Sequence, residues 1–225
     1  IPTYKASIKV NIGVENPVDY DALIAKLSGV ETVIFAGGIS AGLEGEEMPI
    51  DLPGFIGGDR TDIELPAVQR LFLKKLHEAG KKVVFVNFSG SAMALLPETE
   101  SCDAILQAWY PGEDGGTAIA DVLYGDYNPS GKLPVTFYKS TSQLPDFKDY
   151  SMKGRTYRYM TEDPLFCFGY GLSYTTFNIG QAQASKTTLK ASDANDKIVL
   201  SIPVANTGKR DGTEVVQVYI KRTAD

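Results

Sequence analysis

The sequence has few of the residues that several common active sites require. His77 is the one histidine among 225 residues, which excludes a multi-histidine metal site and argues against a Ser-His-Asp triad. The two cysteines, Cys102 and Cys167, cannot form a disulfide framework and lack the spacing of a metal site. We expect both to be plain packing residues. Acid–base chemistry in this chain must therefore rest on carboxylates.

Long apolar runs and an excess of positive charge are also missing. No apolar run approaches the roughly 18 residues of a membrane span, and a net charge of -6 argues against a nucleic-acid surface. No G-x-G-x-x-G motif follows Gly37-Gly38, and the acidic loop beyond them would repel a pyrophosphate. We therefore expect no nucleic acid, membrane, metal or cofactor as a partner.

The first two thirds of the chain alternate apolar runs with helical patterns. We predict strands at residues 6–14, 32–35, 82–88 and 104–108, and helices at residues 19–27, 67–79 and 116–123. The run at 32–35 is typical of a fully buried parallel strand, and the helix at 67–79 would place Leu71, Leu76 and Ala79 on one face. This alternation predicts an α/β fold with a mainly parallel sheet flanked by helices, an αβα sandwich.

The last third has a different pattern. Residues 133–138 fit one more strand, and residues 140–163 form a long polar and aromatic connection without a period. Residues 197–205 and 214–220 alternate about a turn at 206–208, which predicts paired antiparallel strands of a β-sandwich. We therefore divide the chain into an α/β domain (1–138), a connecting segment (139–177) and an incomplete β-sandwich (178–225), about half of the usual ~100 residues.

An acidic loop at residues 43–60 (LEGEEMPIDLPGFIGGDR) is the first candidate site. It follows a predicted buried strand, and ligands of parallel α/β sheets bind just beyond the carboxyl ends of strands. Partial burial or neighbouring carboxylates would raise the pKa of a glutamate there, as general acid–base work requires. The spacing alone also fits a solvated acidic surface loop.

Two aromatic segments are further candidates. Trp109 and Tyr110 end another predicted strand and are suited either to stacking on a sugar ring or to filling the core. Arg155 and Arg158 lie among tyrosines in the run GRTYRY, where bidentate arginines can hold a carboxylate or sugar hydroxyls. Such arginines more often hold a long loop to its own protein, and we favour that interpretation.

Three segments of the sequence resemble glycoside hydrolase family 3. Residues 107–137 (QAWYPGEDGGTAIADVLYGDYNPSGKLPVTF) are similar to the family signature around W-x-P-G-x-x-G-G. Residues 168–177 (FGYGLSYTTF) resemble the family's junction between its α/β sandwich domain and its fibronectin III-like domain. Residues 204–220 (VANTGKRDGTEVVQVYI) resemble the opening of that last domain.

The resemblance implies a retaining β-glycosidase with two catalytic carboxylates. In this family a nucleophilic aspartate lies on an amino-terminal (β/α)₈ barrel, and an acid/base glutamate lies on a loop of the sandwich domain. Retention requires the two carboxyls to lie only ~5–5.5 Å apart. We expect the barrel of ~250 residues, and the first strand and helix of the sandwich domain, to lie outside this sequence. The chain alone would then lack the nucleophile.

The same resemblance assigns residues to the site. The family's acid/base segment matches LEGE at residues 43–46, which places the role on Glu44, with Glu46 and Glu47 as alternatives. Arg60 matches the arginine that follows this loop and either contacts sugar or anchors the loop. Trp109 is the second expected contact with the substrate.

Substrate and location follow less directly from the sequence. The segments GGISAGLEGEE, GGDRTDIELP and GRTYRY are more similar to the β-xylosidase branch than to the β-glucosidase branch. We expect an exo-acting β-xylosidase, with a β-glucosidase of the same family as the alternative, that acts on an oligosaccharide or aryl β-glycoside and is periplasmic or secreted. A carbohydrate-binding or scaffold module without catalysis is the alternative from another class.

Overall fold

The computed structural model describes residues 18–44 and 49–222, without the side chain of Asp51. The predicted strand at residues 6–14 lies outside the described residues. Within them, the helices are too short or too polar to cross a membrane.

The chain divides into two compact units. The sheet unit comprises Ile1–Gly116 and Pro134–Phe168, and the carboxy-terminal unit comprises Thr117–Leu133 and Gly169–Asp225. In chain order the helices and strands are α1 (Tyr20–Ala25), β1 (Thr32–Gly38), β2 (Asp51–Leu52), β3 (Phe55–Ile56), β4 (Asp59–Arg60), α2 (Ala67–Glu78), β5 (Lys82–Phe88), α3 (Leu96–Ser101), β6 (Ala104–Gln107), α4 (Gly115–Tyr124), α5 (Thr156–Tyr159), β7 (Phe177–Ile179), β8 (Gln183–Ala184), β9 (Leu200–Ser201) and β10 (Val204–Asn206). The three-way division of the chain at residues 138 and 177 stays a prediction.

A parallel sheet with the order β1-β5-β6 forms the centre of the sheet unit. Thr32 pairs with Lys82 and Gly38 with Phe88 in the first pair of strands, and Val84 pairs with Ala104 in the second. The predicted fold class is confirmed, because the chain is a mixed α/β fold whose parallel sheet is flanked by helices and accompanied by small antiparallel sheets. The small sheets are β2-β3-β4, β7-β10 and β8-β9.

The helix α2 covers β1 and β5 and supplies much of the core. Its buried residues are Gln69, Phe72, Leu73 and Leu76, the i, i+3, i+4, i+7 positions of one helical face. The predicted face of Leu71, Leu76 and Ala79 was right at Leu76 but wrong at Leu71, which is 41% exposed, and at Ala79, which is also exposed. Apolar residues occur on more than one side of this helix, so the sequence period alone does not fix the buried face.

Two predictions for strands need correction. The run at 32–35 is apolar throughout, yet Ile34 is 39% exposed, because β1 lies at the edge of the described sheet and its alternate residues face away from α2. Residues 133–138 form no strand and contribute a single antiparallel bridge, from Phe137 to Phe166. Pro134 has no N–H to donate to a ladder, which disfavours a continuous strand there.

The carboxy-terminal unit pairs its strands differently from the prediction. The predicted strand at 197–205 is represented by β9 and β10, which pair antiparallel with β8 and β7. Residues 214–220 are not in a strand in the structure, although they alternate. Alternation indicates that a strand has two different faces, but it does not specify which strand pairs with it. Here β9 and β10 pair with β8 and β7, which precede them in the sequence. The predicted turn at 206–208 is present, with Gly208 N–H donating to Asn206 Oδ1 at 3.0 Å.

The two cysteines have different surroundings. Cys102 is half-buried, and burial raises the pKa of its thiol to about 11. Cys167 is exposed, so the expectation that it packs in the interior was wrong.

Candidate active site

An open pocket of about 420 Å³ lies beyond the carboxyl ends of the strands of the parallel sheet. Glu44 comes from the loop after β1, Ser91 from the loop after β5, and Tyr110 from the segment after β6. Because all three strands are parallel, these loops meet at one edge of the sheet. The lining residues are Ala41, Glu44, Gly58, Asp59, Arg60, Gly90, Ser91 and Tyr110.

The position of Glu44 is fixed by the backbone that leaves β1. Ile39 is buried, and its N–H donates to Phe88 O at 2.8 Å, which extends the pairing of β1 and β5 beyond the strand. A tight turn follows, in which Glu44 N–H donates to Ser40 O at 3.1 Å. The carboxylate is therefore only a short turn away from a rigid strand end.

The small sheet β2-β3-β4 brings Arg60 to the same pocket. Phe55 of β3 is buried in the core and pairs with Arg60 of β4. The sequence predicted an irregular loop here, and the structure shows short antiparallel strands that fold the loop back on itself. Arg60 is thereby held in place by a core residue.

Glu44 accepts hydrogen bonds from three groups. Ser91 Oγ donates to Oε1 at 2.5 Å, Gly90 N–H donates to Oε2 at 3.0 Å, and the hydroxyl of Tyr110 also donates to Oε2. Arg60 Nη1 lies 3.8 Å from Oε1 and donates to Ser91 Oγ at 2.9 Å. The Glu44 and Arg60 side chains are only 16% and 14% exposed. The carboxylate is therefore fixed in orientation while it remains on the pocket wall.

These contacts determine the direction in which the pKa of Glu44 moves. Partial burial alone would raise this pKa, but the hydrogen bonds from Ser91, Tyr110 and Gly90, together with the charge of Arg60, outweigh burial and hold it below its ordinary value. The expectation of a raised pKa was therefore wrong for the carboxylate in this structure. Glu44 is ionised at neutral pH.

Gly90 is required by close packing in the pocket. A methyl group at this position would lie 2.7 Å from Tyr110 Cε2 and 2.9 Å from Glu44 Oε2. Both distances are too short for a carbon contact, so a side chain here would displace either the tyrosine ring or the carboxylate. The backbone N–H of Gly90 can reach Glu44 because Gly90 has no side chain.

The other predicted residues have different positions. The structure brings Arg60 together with Glu44, whereas Glu46 and Glu47 lie outside the described residues. Trp109 is half-buried and packs edge-to-face on the buried Phe137, with ring centroids 6.0 Å apart, and it is not among the lining residues. Arg155 donates to the backbone carbonyls of Ser151 and Asp149, as expected of a residue that holds its own loop.

Sequence reasoning missed Gly90 and Ser91 as parts of the site. The signal was present, because Ser89-Gly90-Ser91 directly follows the most regular buried strand of the sequence, at the edge where ligands bind. Within the described ranges, no group of three or more His, Cys, Asp or Glu side chains is placed to hold a metal ion.

A comparison with protein families identifies the chain. Residues 7–174 match the family described as the glycosyl hydrolase family 3 C-terminal domain. The chain belongs to glycosyl hydrolase family 3. The resemblance to this family is thereby confirmed, whereas the fibronectin III-like domain after residue 177 stays a prediction.

Relatives of this family 3 chain include enzymes with two kinds of name. A xylan 1,4-β-xylosidase of Xylanibacter ruminicola is 60% identical over 100% of this chain, which spans 25% of that protein. A periplasmic β-glucosidase of Salmonella typhimurium is 43% identical over 72% of the chain, which spans 22% of that protein. The chain therefore corresponds to about a quarter of the length of these relatives.

A solved structure agrees with this result. A β-glucosidase from Erythrobacter marinus aligns with a TM-score of 0.70 and 36% identity over 86% of this chain and 25% of that one. The sheet that positions Glu44, Ser91 and Tyr110 thus belongs to a fold found in family 3 enzymes.

Proposed function

We propose that this chain supplies the acid/base carboxylate, Glu44, of a retaining β-glycosidase. The observation that carries the proposal is that the ionised carboxylate of Glu44 is fixed by three donors on the wall of an open pocket at the strand ends. Family membership supports it, because family 3 enzymes place their acid/base glutamate on this loop. The nucleophile, an aspartate on a barrel domain, is proposed to lie in another part of the polypeptide.

The reaction proceeds in two steps. In the first, the aspartate attacks the anomeric carbon while the bond to the glycosidic oxygen breaks, and that oxygen takes the proton of Glu44. In the second, Glu44 removes a proton from water as the water oxygen bonds to the anomeric carbon and displaces the aspartate. Glu44 thus regains its proton, and the enzyme returns to its starting state.

The lowered pKa of Glu44 fits one of these steps directly. An ionised carboxylate is the form required for the second step, in which Glu44 acts as a base. The first step needs the protonated form, and a second carboxylate ~5–5.5 Å away would raise the pKa of Glu44 through repulsion between like charges. The proposed nucleophile would therefore also prepare Glu44 for its role as an acid.

A substrate contact is proposed for Arg60, and a packing role is proposed for Trp109, which the sequence analysis expected to contact the substrate. Arg60 lines the pocket beside Glu44, where its remaining donors are suited to a sugar hydroxyl. Trp109 lies next to Tyr110 in sequence, but its ring packs on Phe137, which supports a role in the core more than in sugar stacking.

We propose a β-xyloside as the substrate and exo-acting cleavage as the mode. The support is the 60% identity to a protein named xylan 1,4-β-xylosidase over the whole chain. The β-glucosidase alternative has the weaker support of a relative that is 43% identical. The name of that second relative also supports a periplasmic or secreted location, which agrees with the usual export of such enzymes.

The test uses the complete enzyme that contains this chain. Glu44→Ala should slow hydrolysis most for substrates with poor leaving groups, which need a proton in order to depart, and less for activated aryl xylosides. Added azide should restore turnover and give a β-glycosyl azide, because azide attacks without a general base. Glu46→Ala and Glu47→Ala are the matched controls and should keep most activity without rescue.

Two results would contradict the assignment. Azide rescue of Glu46→Ala or Glu47→Ala, with Glu44→Ala unchanged, would move the role along the loop. Hydrolysis of aryl β-xylosides by the isolated 225-residue chain would show that the nucleophile is not in another domain.

A further inference from the structure

Tyr110 lines the same pocket as Glu44 and contacts it directly. Its ring lies against Gly90, and its hydroxyl donates to Oε2 of Glu44. Burial, together with the carboxylate of Glu44, raises the pKa of this hydroxyl to about 12. Tyr110 therefore remains a neutral donor at any pH at which a glycosidase works.

The two oxygens of Glu44 differ in how many donors they receive. Each carboxylate oxygen has two lone pairs. Among the described residues, Oε2 accepts from two donors, Gly90 N–H and Tyr110 O–H, whereas Oε1 accepts one hydrogen bond, from Ser91. Arg60 is 3.8 Å from Oε1, which is an ion pair and too long for a hydrogen bond. Within the described part of the chain, one lone pair of Oε1 thus accepts no hydrogen bond, and Glu44 lines the pocket.

Ser91 is itself fixed as a donor to Oε1. Its Oγ accepts a hydrogen bond from Arg60 Nη1 at 2.9 Å, and guanidinium groups cannot accept. The hydroxyl proton of Ser91 therefore points to Glu44 and away from Arg60. Of the side chains that the structure describes, the charged and titratable groups that line the pocket with Glu44 are Asp59 and Arg60 from β4 and Tyr110 from the segment after β6.

We propose that Tyr110 is a positioning residue. Its hydroxyl, together with the N–H of Gly90, occupies both lone pairs of Oε2, which leaves Oε1 as the oxygen that exchanges the proton with the substrate. This inference rests on the proposed function of Glu44. In the first step the proton leaves Oε1 for the glycosidic oxygen as its bond to the sugar breaks. In the second step Oε1 takes a proton from water as the water oxygen bonds to the sugar. Tyr110 transfers no proton in either step.

Tyr110→Phe in the complete enzyme tests this role, because it removes the hydroxyl and keeps the ring. The lost donor stabilised the ionised form of Glu44, so the pKa of Glu44 should rise. The basic limb of kcat/KM, which reports the acid in the free enzyme, should then move upward by about one pH unit. For substrates with poor leaving groups, kcat should fall about tenfold while KM stays unchanged, since a hydrogen bond to a charged group has about this effect.

The control is Tyr150→Phe, which removes the same atom from an exposed tyrosine of the same unit. It should leave the pH profile and both kinetic constants unchanged. Ser91→Ala is a second variant, and it should also move the basic limb upward because Oε1 loses its donor. The melting temperatures of all variants show whether each retains its fold.

The outcomes separate the two proposals. If Glu44→Ala is rescued by azide but Tyr110→Phe leaves the basic limb in place, the positioning role is overturned and the function of Glu44 stands. A rise in KM with an unchanged pH profile would show instead that Tyr110 contacts sugar, which also overturns the inference. If Glu44→Ala is not rescued, both the function and the inference are wrong.

Discussion

The contacts inside the sheet unit differ in kind from the contacts inside the carboxy-terminal unit. Among the described residues, every buried hydrophobic side chain belongs to the sheet unit. Val83 and Phe85 of β5 and Leu73 and Leu76 of α2 are inaccessible to solvent. In the carboxy-terminal unit Thr175 is buried, whereas Leu200 and Val204 on its strands are about half exposed. The stability of the sheet unit should therefore depend on apolar volume.

Inside the carboxy-terminal unit, polar side chains connect segments that are distant in sequence. Asn128 accepts from Ser173 Oγ at 2.9 Å and from Tyr174 N–H at 2.7 Å, and it donates to the carbonyl of Asp211 at 2.8 Å. Lys132 Nζ and Glu214 Oε1 are 2.9 Å apart. Segments that are distant in sequence meet at these side chains. The comparison teaches that equivalent truncations should have very different effects in the two units.

Phe85→Ala should have the largest effect. Removing a fully buried ring from the centre of the sheet should lower the free energy of unfolding by about 3–5 kcal/mol. Denaturant unfolding followed by the fluorescence of Trp109, the one tryptophan, measures this loss of unfolding free energy in the sheet unit. Leu200→Ala in the carboxy-terminal unit is the control and should change the same signal by less than about 0.5 kcal/mol. Similar losses in both would contradict the comparison.

Arg70→Met should have the second largest effect. Arg70 bonds to both carboxylate oxygens of Glu98, at 2.7 and 3.1 Å, and Glu98 is 1% exposed. Without the arginine a buried charge loses its partner, which costs about 3 kcal/mol of unfolding free energy. Lys74→Met breaks the exposed pair with Glu78 and should cost less than about 0.5 kcal/mol in the same assay. Equal costs would show that burial does not decide the energy of these pairs.

The sequence predicted the elements of the sheet unit well because apolar runs and helical periods are local. The strands at residues 82–88 and 104–108 and the helix at 67–79 are present with small shifts at their ends, as is the helix at 116–123, most of which belongs to the carboxy-terminal unit. The errors concern faces and partners, as with Leu71 and Ile34, because these depend on which element lies alongside. The pairing of β10 with β7 joins segments far apart in sequence, which alternation alone does not specify.

The candidate site was predicted in part for the same reason. Glu44 and Arg60 lie on one loop and could be found through the family resemblance. The groups that hold Glu44 are 46, 47 and 66 residues away from it, at Gly90, Ser91 and Tyr110. Their meeting depends on the register of three strands. The lowered pKa of Glu44 could not be inferred without these contacts.

Asn128→Ala should have a moderate effect confined to the carboxy-terminal unit. Three hydrogen bonds are lost, and the net cost should be about 1–3 kcal/mol. Hydrogen exchange of the amide of Tyr174 and its neighbours should accelerate, while the Trp109 unfolding signal stays unchanged. Asn178→Ala, at an exposed position of β7 in the same unit, should change exchange little. Loss of the Trp109 transition in Asn128→Ala would show that the two units unfold together.

Glu44→Gln should have the smallest effect on stability, and that effect should depend on pH. The folded pKa of Glu44 lies below the value of about 4.3 expected in the unfolded chain. Ionised Glu44 therefore stabilises the fold above pH ~5, and this stabilisation is lost as the pH falls through the folded pKa. The difference in unfolding free energy between the wild type and Glu44→Gln should be largest at pH 7 and should shrink below pH ~4.

The same difference measured in a Tyr110→Phe background should be smaller at pH 7, because one donor to the carboxylate is already missing. A difference that stays constant from pH 7 to pH ~3 would mean that the polar contacts of Glu44 do not favour its ionised form.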